Sequence, residues 1–400
     1  STPGWFTLKH KFYNSGSFAA ADFSILDAGG ATLNSWTIVS PYPIATTGGN
    51  RYGWFAHNAF PFLAIDNSTY TAQPVWVDNS DGQAGPNDCS GTDAAHMTIG
   101  AAITAASVGD TIKVCPGTYN ESPQIAKSLT LQSTGGRNVT TIQLLPSGSP
   151  GTGYLAGVYI NSATANVTID GFTIIGNDAA NPVLANSNVV IQTASSVTVT
   201  NSRLKVGAID GGSNGDDGIG LVTTFGSGAG PVTVTNNEIM PVNASGARAF
   251  YINPGTGTTF SFQNNQVTGH FTRNSATECG GPISNNTFTG TGASGGFGAY
   301  NFAGPACGDP GPFTNNKVSG ATTGILIYDA NNTVLTGNTF TGNDTGILID
   351  VEDVTGTVAH YNRIANNTTA GFTNNTASVV DAENNWWGCN YGPGASGAGC

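Results

Sequence analysis

The chain has 400 residues, of which only 9% are charged and 56 are glycine, and its formal net charge is −12. Because acidic side chains predominate and Lys and Arg are scattered singly, nucleic acid and anionic membrane surfaces are disfavoured as partners. No apolar run approaches the roughly 18 residues of a transmembrane segment. Abundant Gly, Ser, Thr and Asn predict stacked strands joined by tight corners, not helical bundles.

Residues 1–85 contain aromatic-rich strand candidates separated by Gly, Pro and Asn turns, and they predict an N-terminal β-rich extension. One interpretation is a small β-domain packed on the end of the remaining chain. The alternative is an assembly region whose first strand leaves its own subunit and pairs with an open sheet edge on the next. The residues predicted to contribute to such assembly are Trp5, Phe6, Leu8 and Phe12.

A short amphipathic helix is predicted over residues 98–107, after a Gly, Asp and Pro-rich linker. Thr98 is placed to cap its N-terminus. Such a helix would cover the apolar end of the strands that follow. The residues predicted to share its buried face are Ile99, Ala102, Ile103 and Ala106.

One phrase recurs along the rest of the chain: a strand, a polar corner that carries Asn, and an apolar residue two positions later. Its intervals of 21 to 35 residues are typical of a solenoid. Because the spacers are too short for crossover helices, we predict a parallel β-helix over residues 86–400, in which the Asn amides stack as a ladder. The alternative is that Asn is merely a common turn residue. The phrase begins at Ser202, and the ladder positions are Asn237, Asn265, Asn286, Asn316, Asn338, Asn362 and Asn385.

Two stretches resemble a known superfamily. The run over residues 98–119, which ends in Pro116-Gly117-Thr118-Tyr119, looks like the entry segment of the pectin-lyase-like right-handed parallel β-helix superfamily. Residues 383–394, which include Trp386-Trp387-Gly388-Cys389, resemble the last coil of its secreted bacterial members. The resemblance implies an all-β, right-handed solenoid. It says little about chemistry, since the superfamily includes pectate lyases, polygalacturonases and pectin esterases as well as non-catalytic surface proteins.

Asp216 and Asp217 are weak catalytic candidates, because they resemble the paired aspartates of polygalacturonases. The His-Gly and Arg-Ile-Lys elements that should follow them are missing, so a turn or a calcium contact is the favoured interpretation. A uronate lyase would instead need a basic residue beside calcium. The solenoid's cations are isolated in sequence apart from Arg203 and Lys205.

Asp350, Glu352 and Asp353 form a second acidic cluster. The spacing of these carboxylates suits calcium, although a solvated turn is the favoured interpretation. Calcium is the one cofactor that the sequence suggests. No other cofactor is predicted, since no phosphate-binding Gly-rich loop stands between a strand and a helix.

The six cysteines form three neighbouring couples, and we predict sequential pairing: Cys89–Cys115, Cys279–Cys307 and Cys389–Cys400. An even count without zinc-type spacing indicates an extracellular or cell-surface location. Asn-x-Ser/Thr sequons are also frequent. They arise by chance in corners rich in Asn and Thr, or they carry glycan if the host modifies secreted proteins. The candidates are Asn67, Asn120, Asn138, Asn166, Asn243, Asn285, Asn331, Asn343, Asn366, Asn367 and Asn374.

These features favour a non-catalytic extracellular structural or surface protein that self-assembles head to tail, as a filament or layer, through its N-terminal strand. Its main partner would then be another copy of itself. Two alternatives stay open. One is a polysaccharide lyase or glycoside hydrolase that acts on an extracellular glycan, and the other is a glycan-binding adhesin without turnover.

Overall fold

The computed structural model shows a protein that is nearly all β in its described residues, with one short helix among them. The residues that the structure describes are 7–15, 18–27, 29–43, 74–80, 89, 96–145, 154–176, 185–206, 219–223, 230–241, 250–253, 259–269, 271–273, 281–290, 298–300, 311–328, 331–350 and 354–390.

Three long parallel sheets form the body, and each coil of the chain contributes one strand to each sheet. The first sheet contains β7 Gln124–Ile125, β10 Tyr154–Asn161, β13 Ala185–Thr193, β16 Ile219–Thr223, β19 Phe250–Asn253, β22 Phe271–Arg273, β25 Gly298–Tyr300, β28 Thr323–Tyr328, β31 Thr345–Ile349 and β34 Ala370–Asn374. The second sheet contains β4 Val75–Val77, β5 Thr111–Val114, β8 Leu129–Ser133, β11 Asn166–Asp170, β14 Ser196–Thr200, β17 Val232–Thr235, β20 Phe260–Gln263, β23 Ile283–Ser284, β26 Pro312–Thr314, β29 Val334–Thr336 and β32 Val358–His360. The third sheet contains β6 Gly117–Asn120, β9 Thr140–Gln143, β12 Thr173–Ile175, β15 Arg203–Val206, β18 Glu238–Pro241, β21 Gln266–Thr268, β24 Thr287–Thr289, β27 Lys317–Ser319, β30 Thr339–Thr341 and β33 Arg363–Ala365.

Alternation within each strand fills the core. In β14, for example, Val197 and Val199 are buried while Thr198 and Thr200 point outward, and the next coil repeats the pattern in register. Apolar side chains therefore stack from coil to coil. Aromatic rings stack in the C-terminal half of the core, with centroids 5.9–6.3 Å apart along Phe262, Phe288, Phe313 and Phe340.

The predicted Asn ladder is present at the corner between the second and third sheets, which we call the ladder corner. The backbone N–H and Nδ2 of each ladder Asn both donate to Oδ1 of the ladder residue in the next coil, at 2.8–3.2 Å. Each Nδ2 also donates to a carbonyl of the preceding coil. At the last rung, Asn385 Nδ2 turns back to Ala382 O instead.

The residue before each ladder position adopts a left-handed backbone, which explains why Asn-Asn pairs recur. A positive φ is tolerated by Gly and by Asn, and it is costly for other side chains. Gly337 and Tyr361 replace Asn at two of these corner positions. The corner residues are Asn201, Asn236, Asn264, Asn285, Asn315, Gly337, Tyr361 and Asn384, with φ between 51° and 70°.

The predicted helix closes the N-terminal end of the core. It spans Ile99–Ala105 (α1), and Thr98 Oγ1 accepts a hydrogen bond from Ala101 N. All four residues predicted for its buried face are buried. Glu121, which follows β6, accepts from Ile99 N and Gly100 N at 2.7 and 2.9 Å. At the other end, Lys127 Nζ donates to Ala106 O.

A separate antiparallel sheet lies nearer the N-terminus, in the order β1 Thr7–Ser15, β2 Phe18–Leu26 and β3 Thr32–Pro43. β1 pairs along its length with β2 of the same chain. β2 was not expected from the sequence, because its Ala-rich start has poor strand propensity. The division of the chain at residue 85 stays a prediction, but β4, on the N-terminal side of that division, already pairs in parallel with β5.

Candidate functional site

Most of the predicted catalytic and calcium positions lie outside the described residues, namely Asp216, Asp217, Glu352 and Asp353. Asp350 is described, and its Oδ1 accepts a hydrogen bond from Asn375 Nδ2 at 3.1 Å. Within the described part of the chain, no group of three or more His, Cys, Asp or Glu side chains is placed to hold a metal. The structure therefore gives Asp350 a partner in the next coil and leaves its calcium role a prediction.

A charged cluster lies on the outer face of the third sheet. Glu238 Oε1 is 2.7 Å from Arg137 Nη2, and its Oε2 is 2.6 Å from Arg203 Nε. Arg203 Nη2 also donates to Asn138 Oδ1 at 3.0 Å, and Arg137 donates to the Asn236 carbonyl. The cluster ties together coils that are far apart in sequence.

Two opposing effects act on the pKa of Glu238. Burial alone would raise it, since a carboxylate loses hydration in the cluster. The hydrogen bonds and charges of Arg203 and Arg137 outweigh burial and hold the pKa below its ordinary value of 4.5. Glu238 is therefore ionised at neutral pH and serves as the counter-ion of both arginines.

The sequence contains a signal for this cluster. Arg203 directly follows Ser202, and Glu238 directly follows Asn237, so both occupy the same place after a ladder residue. Because ladder residues stack, the two charges must fall on neighbouring strands, as the pairing of β15 with β18 shows.

A contact between a histidine and a carboxylate joins the last coil to the second sheet. His360 Nε2 lies 2.8 Å from Asp381 Oδ1. The pKa of Asp381 is lowered, first by its contact with His360 and then by the N–H of Glu383. His360 thus lies in contact with a carboxylate of the last coil.

Cys89 and Cys115 form a disulfide with their Cα atoms 5.5 Å apart, which ties the segment before α1 to the residue that directly follows β5. Cys389 is also disulfide-bonded. Its predicted partner Cys400, and the predicted pair Cys279–Cys307, lie outside the described residues.

One predicted glycosylation site must be corrected. Asn343 is buried, its Nδ2 donates to Val318 O and Asn367 Oδ1, and its Oδ1 accepts from Ala321 N. This short second ladder, between the third and first sheets, leaves no room for a sugar. Asn367 belongs to the same ladder and is half-buried. Asn67 and Asn243 lie outside the described residues, Asn331 is half-buried, and the exposed candidates are Asn120, Asn138, Asn166, Asn285, Asn366 and Asn374.

The predicted assembly residues fall partly within the N-terminal sheet. Trp5 and Phe6 lie outside the described residues, as does the side chain of Phe12, whose backbone is in β1. Leu8 is 49% exposed and lies opposite Ile25 of β2. On the same face Phe23 stacks on Trp36, with ring centroids 5.5 Å apart.

That face is the more apolar side of the sheet, although Val39 on the opposite face is also exposed. The opposite face carries Lys9, Asp22 and Thr37, and Thr37 Oγ1 donates to Asp22 Oδ1 at 2.6 Å. We call the first side the N-terminal apolar face. Its described members are Leu8, Ala21, Phe23, Ile25, Trp36 and Ile38.

Comparisons with known proteins agree with this architecture. Residues 274–399 match the family model described as "right handed beta helix region". Among solved structures, the chain is similar to an alginate lyase from Paenibacillus sp. str. FPU-7, at 14% identity and a TM-score of 0.37, over 72% of this chain and 92% of that one. It is also similar to a pectin methylesterase from Aspergillus niger, at 14% identity and a TM-score of 0.32, over 81% and 88%.

No curated protein sequence matches the chain significantly. Among the described residues, no helix has the length and apolar character needed to cross a membrane. The similarities to solved structures are too distant to carry an argument about function. The family match over residues 274–399 and the three stacked parallel sheets confirm the fold expected from the sequence. The chain has a right-handed parallel β-helix fold.

Proposed function

We propose that the protein is a non-catalytic extracellular structural or surface protein that assembles from copies of itself through its N-terminal sheet. The observation that carries the proposal is the N-terminal apolar face, where Leu8, Trp36 and Ile38 are 49%, 41% and 55% exposed. Adjacent exposed apolar side chains on one face of a sheet are typical of an interaction surface.

The edges of the same sheet support a second subunit as the partner. In the described sheet β1 and β3 are the outer strands, so each has one edge without a neighbouring strand. An open edge is a template for another strand. Since β1 is paired with β2 of its own chain, we expect assembly through the outer edge of β1 together with the N-terminal apolar face, and not through a strand that leaves its subunit.

The body of the protein suits a structural role. The ladder and the three sheets bond each coil to the next along the rod, so that force is carried by many parallel hydrogen bonds. The Cys89–Cys115 disulfide supports an extracellular or cell-surface location, because such bonds persist in oxidising compartments.

The test compares two double variants with the same added charge on opposite faces of the N-terminal sheet. Leu8→Asp with Ile38→Asp changes the apolar face, and Thr7→Asp with Val39→Asp changes the opposite face, whose members are also exposed. Sedimentation velocity over a range of concentrations, with electron microscopy, measures assembly.

We expect the wild type and the opposite-face variant to form higher-order assemblies, and the apolar-face variant to remain monomeric. A wild type that stays monomeric at every concentration would contradict the proposal. Equal assembly by the two variants would also contradict the proposal.

A further inference from the structure

The two ends of the solenoid core are covered differently. At the N-terminal end the buried face of α1 lies on the core. At the C-terminal end none of the residues 366–390 is buried, although Ile347, Ala359 and Ile364 of the preceding coil are at most 1% exposed. Within the residues that the structure describes, the last coil therefore leaves the apolar end of the core partly open to solvent.

The inner columns of all three sheets end in half-buried apolar side chains. Register continues the first-sheet column from Ile347 to Phe372, and isolated bridges next to Ala382 and Trp387 continue the other two columns. The rings of Phe372 and Trp387 meet edge to face, with their centroids 6.5 Å apart. We call these side chains the C-terminal end layer: Phe372, Val380, Ala382 and Trp387.

The last strand of the first sheet adds an open edge to the same end. β34 pairs with β31 on one side, and no strand among the described residues pairs with its other side. An edge strand presents unpaired N–H and C=O groups that another strand can pair with. An apolar layer beside an open strand edge is a surface that a second sheet can both extend and cover.

We infer that the C-terminal end layer and the open edge of β34 receive the N-terminal sheet of a second copy of the chain. The outer edge of β1 adds to β34 as the next strand of the first sheet, and the N-terminal apolar face lies against the end layer. Leu8 and Ile38, which are 49% and 55% exposed, are thereby removed from water. The two surfaces differ, so the contact is heterologous and successive copies join head to tail.

The charges of the two surfaces are complementary. β1 contains Lys9 and Lys11, both exposed, and no acidic residue. Residues 375–390 contain Asp381 and Glu383, both exposed, and no Lys or Arg. Opposite charges steer the encounter of two copies and disfavour the pairing of like ends.

The outer side of α1 in a second copy is the alternative occupant, since rods could stack end on end. It carries Val108, which is 74% exposed. Its backbone groups are bonded within the helix, so it cannot add to β34 as a strand. The charges at its ends, Glu121 and Lys127, are also already bonded to the helix. The N-terminal sheet is therefore the favoured occupant.

The inference rests on the proposed function and deepens it by naming the acceptor surface, and mixing two complementary variants separates the two. The end variant is Val380→Asp with Ala382→Asp, at half-buried positions where the new carboxylates keep access to water. It retains the N-terminal sheet. The face variant is Leu8→Asp with Ile38→Asp, which retains the end layer. Sedimentation velocity measures assembly of each variant alone and of the equimolar mixture.

We expect each variant alone to be monomeric and the mixture to form dimers and nothing larger, because each mixed pair has one intact sheet and one intact end layer. The matched control, Val108→Asp with Val139→Asp, adds the same charge at exposed positions beside α1 and before β9 and should assemble like the wild type. Circular dichroism checks that the variants fold.

Hydrogen exchange gives a second measurement that does not depend on the end variant. The amides of residues 370–374 should exchange more slowly in wild-type assemblies than in the monomeric face variant, and equal exchange would overturn the inference.

Three outcomes of the mixing experiment would also count against it. An end variant that assembles like the wild type, or a mixture that stays monomeric, would overturn the inference and leave the proposed assembly standing. Loss of assembly in the control would identify the α1 end as the occupant and overturn it as well. A wild type that stays monomeric would contradict the proposed function itself, and the inference with it.

Discussion

At the scale of single residues, Asn has two separate roles at the ladder corner. The first Asn of a pair takes the left-handed backbone that turns the chain, and the second is buried and bonds to the coils on both sides. Neither role is easily filled by another residue type, since the turn needs a positive φ and the buried position needs an amide that is both donor and acceptor. This is why the pair recurs in coil after coil.

Tyr361 departs from this pattern and gives a prediction of increased stability. It has a φ of 59° and is 66% exposed, so its ring contributes little burial while its backbone is strained. Replacing it with Asn should raise the free energy of unfolding by about 1 kcal/mol. Urea unfolding followed by tryptophan fluorescence measures the change. The reverse substitution at an exposed corner, Asn285→Tyr, should lower stability, and a Tyr361→Asn protein no more stable than the wild type would contradict the strain argument.

Replacing a ladder Asn should lower the free energy of unfolding by an amount that depends on its position in the ladder. Asn316→Ala removes the acceptor of two buried donors of Asn286 and the donor to Ile283 O, and should destabilise the protein by about 4 kcal/mol. Asn385→Ala at the last, half-exposed rung should cost about 1 kcal/mol, since water can replace its bonds. Equal losses in the two variants, measured by denaturant unfolding, would show that the amides do not act as a buried ladder.

The ionised Glu238 on the third sheet predicts that the free energy of unfolding depends on pH. Its pKa in the folded protein is lowered, so its contribution to stability is present above the ordinary value of 4.5 and is lost as pH falls through the lowered pKa. Glu238→Gln should therefore be less stable than the wild type at pH 7, and the difference should shrink with acidification below pH 4.5. A difference that is constant with pH in urea unfolding series would contradict the assignment of Glu238 as the counter-ion of both arginines.

At the scale of elements, helix α1 is bonded at both ends by residues of the coil it covers. Glu121 accepts from the first helical N–H groups, and Lys127 donates to the Ala106 carbonyl. Each charge also has the favourable sign for its end of the helix dipole. The apolar face of α1 closes the core, so the helix and the first coil depend on each other.

Removal of the Glu121 carboxylate tests this dependence. Glu121→Ala should lower the stability of the helix by about 1–2 kcal/mol, because two N–H groups lose their acceptor. We expect faster hydrogen exchange at the amides of residues 99–106 while coils beyond β13 keep their protection. The control, Thr98→Ala, removes one bond of 3.2 Å and should have the smaller effect. Uniform acceleration along the whole chain would mean that the cap is not a local element.

At the scale of the whole molecule, the sequence predicts the features that lie within one repeat. It does not predict the features that depend on spacers of unequal length between repeats. The ladder from Asn237 to Asn385 and the cap helix follow from local phrases. The grouping of Arg137, Arg203 and Glu238 depends on which residues of successive coils share a register. That register becomes visible only when residues are counted from the ladder position.

The N-terminal sheet was likewise predictable only in part. A first strand was expected over residues 5–12 and is observed as β1, but its partner β2 was not expected. Because β1 pairs within its own chain, its outer edge is the one left open for another subunit. The buried Asn343 similarly shows that a sequon at a corner is also a candidate ladder residue.

The coils stack in register along one continuous column, and residue-resolved hydrogen–deuterium exchange tests this stacking most directly. The backbone N–H of each ladder residue from Asn237 to Asn362 donates to the Oδ1 of the next rung, so these amides should exchange slowly and to a similar degree. Fast exchange at interior rungs such as Asn286 and Asn316, at rates like those of exposed corner residues, would contradict the stacked column.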